Sequence, residues 1–171
     1  ATPKLVAGLR LWGRADAGVP GGEGDHWEDQ SGEGNHGAQA NGAAVPRLVP
    51  DLANGLPVMR FDGGDTVRFT TRLTEIRTVF WVVSTAEVPG GTASRRSLLG
   101  DDSNTWAFAG GHGAPGEIWD GSALPAVRDG LTAVNGVVVP GTTTPRPTSL
   151  SVVSLVTTGN VIVGVHSRSK D

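Results

Sequence analysis

The sequence has no cysteine, no tyrosine and a single methionine. Without cysteine there is no disulfide framework and no thiolate to serve as nucleophile or metal ligand. No apolar run approaches the ~18 residues of a membrane-spanning helix. No basic segment followed by an apolar stretch opens the sequence either. An excess of one charge is missing too: 14 Lys and Arg stand against 17 Asp and Glu, a net charge of −3. The nearest thing to a basic cluster is Arg95–Arg96, which reads as a solvated loop. Binding to a nucleic-acid backbone needs a clustered basic surface, so that class is set aside. Catalytic signatures are scarce as well. Neither Gly-x-Ser-x-Gly nor His-Glu-x-x-His occurs, and the four histidines, His26, His36, His112 and His166, lie far apart with no zinc-like spacing.

What the chain has in quantity is glycine, 26 residues in 171, about twice the usual ~7% share. The glycines are spread along the chain as turn signals, and long helical periodicity is absent. Strand patterns lie between the turns. Residues 5–15 read as a first strand. Residues 57–61 place Met59 and Phe61 on one face, and residues 65–70 alternate with Val67 and Phe69 on one side. Residues 78–85 (TVFWVVST) are apolar on both faces, which predicts a central strand covered from both sides. Further strands are expected at 96–100, 106–110, 116–120, 127–139, 150–156 and 161–165. Asn135–Gly136 is the strongest hairpin signal, because a type I′ turn needs positive φ at both central residues. The pattern predicts one all-β domain over residues 1–171, a two-sheet antiparallel sandwich of the jelly-roll kind.

Three segments carry a resemblance: LRLWGRADAGV at 9–19, WEDQSGEGNHG at 27–37 and PVMRFDGGD at 57–65. In this order they resemble the laminin-G-like, concanavalin A-like jelly-roll domains of bacterial and phage surface proteins. The resemblance covers the first third of the chain and implies an extracellular or virion-surface location. Such domains close with a strand of the type G-x-I-A-E-V-x-V-Y beside the N-terminal strand, and this sequence has none. Trimming, disorder or a complementing strand from another chain would each account for that.

Candidate site residues follow from both readings. In the loop 27–37, Asp29 and Ser31 are placed to bond backbone N–H groups two residues on, which predicts a self-capped turn with Trp27 inward. Asp62 and Asp65 flank a glycine turn, where they can share a cation or cap the turn's amides. Asp101 and Asp102 are adjacent carboxylates, repelling unless solvated or metal-bound. The resemblance implies that a structural Ca²⁺ could sit at such a place. The most site-like segment is 110–121 (GGHGAPGEIWDG), which groups His112, Glu117, Trp119 and Asp120. A sugar-binding surface needs an aromatic plate and a few fixed polar groups, so Trp119 with these three is the expected ligand site; the alternative is an inward Trp119 in the core. Hydrolytic relatives of the resembled fold carry a Glu-x-Asp-x-Glu strand and lyase relatives pair a Tyr with a His. Neither is present, so the expected function is non-catalytic: carbohydrate or protein recognition or, as the alternative, assembly through an open sheet edge along residues 5–15.

Overall fold

The computed structural model describes residues 3–85, 95–103, 106–111 and 116–170. Among these residues, nine strands and one short α-helix follow in chain order: β1 (His26–Trp27), β2 (Gly37–Ala38), β3 (Arg47–Ala53), β4 (Leu56–Arg60), β5 (Val67–Val83), β6 (Arg95–Gly100), α1 (Pro125–Arg128), β7 (Leu131–Val134), β8 (Val137–Val139) and β9 (Ser151–Lys170). The fold is all-β, and every strand pairing is antiparallel. A seven-stranded sheet runs β1-β2-β5-β9-β7-β8, with β6 also paired to β9, and β3-β4 form a separate hairpin.

The architecture depends on β5 and β9. They pair along their lengths, but the register shifts at three places between Arg68 and Thr78. Extra residues on one strand bend and twist it, so a single pair of strands turns a corner. Thr157 holds that corner, its hydroxyl bonding the carbonyl oxygens of Arg77 and Gly159 at 3.1 and 2.7 Å. Near one end β9 pairs with β6, and near the other with β7. The inward side chains of both arms, Val153 and Leu155 on one and Val161 and Val163 on the other, therefore meet in one core. The core's centre is aromatic. Trp81, Phe108 and Trp119 lie with ring centroids 5.9 to 6.2 Å apart in tilted and edge-to-face arrangements, the geometries that aromatic quadrupoles favour.

Several sequence expectations need correction. Residues 5–15 are not a strand: the segment carries only a short 3-10 turn at Pro3–Leu5 and an isolated bridge from Arg14 to Ala17. Its polar backbone groups bond to the 27–37 loop instead. The expected strands at 65–70 and 78–85 are the two ends of β5, and those at 150–156 and 161–165 are both parts of β9. Residues 106–110 and 116–120 form turns and single bridges. Residues 127–139 divide into the end of α1 and the β7–β8 hairpin. Asn135 and Gly136 turn that hairpin with φ of 51° and 81°. The largest departure concerns residues 78–85, whose outer face is open.

Candidate functional site

The 27–37 loop is a hub for the N-terminal segment. Asp29, which is buried, accepts hydrogen bonds from the backbone N–H groups of Trp12, Ser31 and Asn35 and from the Ser31 hydroxyl, at 2.6 to 3.1 Å. Burial works against the charged form, yet the Ser31 hydroxyl and these amides outweigh it and hold the carboxyl below its ordinary range. Asn35 donates to the Arg10 carbonyl at 2.7 Å, and the Trp27 indole N–H donates to the Arg14 carbonyl at 2.8 Å. His36 Nδ1 accepts the Asp29 N–H. This is the self-capped turn that the sequence predicts, and Asp29, Ser31, Asn35 and the Trp27 indole N–H are engaged within it and with residues 10–14.

The described residues of the expected ligand site at 110–121 have separate roles. Trp119 is 1% exposed and its indole N–H donates to the Thr132 hydroxyl at 2.8 Å. A Cβ on Gly141 would overlap that indole, so the ring has nowhere to swing. Trp119 is therefore a core residue, and the expected aromatic plate is corrected: inward packing satisfies the ring and its N–H together. Glu117 is exposed, and its carboxylate lies over Gly111. Asp120 is half-buried and caps its own turn through Ser122 N–H at 2.7 Å. His112 lies outside the described residues.

The acidic pairs are engaged as well. Asp101 is 1% exposed and takes a two-pronged ion pair from Arg72 at 2.9 and 2.6 Å, with Ser103 donating from its N–H and hydroxyl. The Arg72 guanidinium, acting against burial, holds the Asp101 carboxyl down at about 2. Asp102 pairs with Arg68. These four residues line a shallow depression with Phe69, Ser103 and Gly164. Asp65 accepts the Asp62 N–H at 2.8 Å, while Asp62 caps Gly64 N–H at 2.9 Å. Burial, with the Asp62 carboxylate beside it, raises Asp65 despite that amide. Among the described residues, no three His, Asp or Glu side chains converge.

One surface has no internal use. On the arm where β5, β9, β7 and β8 run side by side, inward and outward residues alternate. Trp81, Val153, Leu155 and Thr132 point into the core, and Phe80, Val82, Val152, Val156, Leu131 and Val138 point out. The register arranges the outward residues in rows. Phe80 lies opposite Ser154, Ser154 opposite Ala133, and Ala133 opposite Val138. To one side Val82 pairs with Val152, and to the other Thr78, Val156 and Leu131 form the next row. Phe80 and Val82 are each 71% exposed, Val138 61% and Leu131 57%. No charged residue occupies an outward position between Thr78 and Val82, between Val152 and Val156, or at Leu131, Ala133 and Val138. These positions form an uncharged apolar patch on the outer side of the sheet. The expectation that 78–85 is covered on both sides is thereby corrected for the described residues. Its residue types suit burial, and only one side is buried.

No family model matches the chain, and neither does any curated protein or solved structure.

Proposed function

We propose that this chain is a non-catalytic module of an extracellular or particle surface, and that it attaches to another protein through the outer face of the β5–β9–β7–β8 arm. One observation carries the reading. Six large apolar side chains stand in register on an uncharged sheet face with nothing packed over them among the described residues. A monomer's largest apolar patch is about 300–600 Å², and patches at that limit rimmed by polar residues are commonly interaction sites. Here the side chains alternate with a well-packed inner face, so their exposure cannot be relieved by a rotamer change.

The reading belongs to the assembly class expected as the alternative, with its location moved. Residues 5–15 offer no strand edge, and the apolar face takes over that role. The laminin-G-like resemblance and the two-sheet jelly-roll sandwich remain part of the proposal. They are supported by the all-β antiparallel fold, by the bent β5–β9 pair that puts two arms around one core, and by the three motifs in order. A structural Ca²⁺ belongs to the same proposal, at the turn of Asp62 and Asp65, where burial first and the neighbouring Asp62 carboxylate second raise the cost of ionising Asp65. Carbohydrate recognition is the second reading. It is supported by the exposed Glu117 and half-buried Asp120, and it would act without Trp119 as a plate.

The test is binding of an environment-sensitive apolar dye to dilute, natively folded protein. The unmodified chain should bind it, and Phe80→Asp should lose most of that binding with an unchanged far-UV spectrum. A chain that binds no dye, or a variant that binds as well as the original, would remove the face as the attachment surface.

A further inference from the structure

We infer that the occupant of this face is a second copy of the same chain, packed sheet to sheet about a twofold axis. The inference rests on the reading of the face as an attachment surface and names its partner. Three features of the face point to self-association.

The first is its shape. The middle row has a knob and a hollow on the same surface: Phe80 projects at one end, and Ser154 and Ala133, both small, follow beside it. In a twofold contact each residue i that meets j is matched by j meeting i. A twofold axis near the middle row seats the Phe80 of each copy over the Ser154–Ala133 hollow of the other. Val82, Val152, Val156 and Leu131 surround that pair of contacts. Phe80 supplies the buried aromatic anchor on which interface energetics depend.

The second is chemistry. The outward positions are Thr78, Phe80, Val82, Val152, Ser154, Val156, Leu131, Ala133 and Val138, without a charge among them. A face that meets itself must avoid like charges, because each would be placed near its own copy. An uncharged face meets that condition. Facing sheets pack about 10 Å apart with their side chains interdigitating, which suits short β-branched residues around one aromatic ring.

The third is area. From their exposures, the six large residues present on the order of 500–600 Å² per copy, so two copies face to face bury at most about 1,100 Å², close to the ~1,000 Å² that a specific interface must clear. That area places the dimer among weak, reversible interfaces, below the ~1,200–2,000 Å² of stable ones. The monomer is compatible with this, since the core lies on the opposite side of the sheet and is complete without the partner.

Sedimentation equilibrium from about 1 to 500 µM tests the inference. The chain should move from its 17.6 kDa monomer mass to twice that value across the range. Phe80→Asp should weaken self-association at least 100-fold and stay a monomer throughout. Val138→Lys, on the short β8, gives a second charge insertion should Phe80→Asp fail to fold. A monomer at every concentration would overturn the dimer. When that monomer also binds the apolar dye, the attachment surface stands and its partner is a different molecule. A dimer that both folded variants retain would place the contact elsewhere and overturn the inference equally.

Discussion

His166 is held in an unusual position for a titratable residue. It lies on β9 between the rings of Trp27 and Phe61, at centroid distances of 5.6 and 5.0 Å, and its Nδ1 is buried without a hydrogen-bond partner among the described residues. Burial pushes its pKa down to about 4, below the ordinary 6.5. A base depressed in the folded state is neutral in both states above pH 6.5, so it has no effect on stability there. As pH falls below 6.5 the unfolded chain takes up the proton and the folded chain does not. Stability therefore declines between about pH 6.5 and 4 and levels off below the folded pKa. His166 as a whole residue is half-buried, so the expected loss is on the order of 1–3 kcal/mol. Chemical denaturation at pH 7 and at pH 4.5 measures it. His166→Phe should reduce the gap between the two pH values, and a gap of unchanged size would assign the acid sensitivity to other groups. Asp101 does not contribute in this window. Its depressed carboxyl stabilises the fold above its unfolded pKa near 3.8 and releases that stability only as pH falls towards about 2.

Turns are the elements in which side-chain chemistry and backbone are most tightly joined here. The Asp62–Asp65 turn can be tested directly. Ca²⁺ bound there stabilises the folded state by mass action, about 2.7 kcal/mol at a hundred times its dissociation constant, which is about 5–10 °C in melting temperature for a chain of this size. The proposal expects that rise with Ca²⁺ and its loss in Asp65→Asn, measured by differential scanning calorimetry against a chelator control. Equal melting temperatures in Ca²⁺ and in chelator would leave the two carboxylates as turn caps alone. Elements with local signals were the legible ones. The β7–β8 hairpin is announced by Asn135–Gly136, β4 by alternation around Met59, and the 27–37 turn by Asp29 and Ser31. Elements decided by tertiary contact were not. β3 contains Pro50, which argues against a strand, yet it pairs with β4 on the separate hairpin. Residues 5–15 alternate like a strand, but Asp29 and Asn35 satisfy backbone groups at Trp12 and Arg10 that a sheet would otherwise take. Trp119 stands among polar residues and glycines as a ligand-binding aromatic would, and only the proximity of Thr132, Trp81 and Phe108 places it inside.

On the scale of the whole molecule, the fold is a bent sheet with one arm apolar on both faces. The strand composition at 78–85 predicts burial on two sides, and the inner side receives it from the aromatic core. The outer side has the residues for burial without the cover. No local signal in the sequence distinguishes a strand covered by its own chain from one covered by another molecule, since both need the same apolar residues. The reading of this molecule as an attachment module depends on that outer face being open in the single chain. The absence of cysteine allows a clean measurement, because Val82→Cys introduces the only thiol. Its alkylation rate in dilute native protein should approach that of an unfolded-chain thiol, while the inward Val153→Cys reacts only through opening of the fold. A Val82→Cys thiol as protected as Val153→Cys in dilute monomer would mean that the chain covers its own face, and would contradict the account.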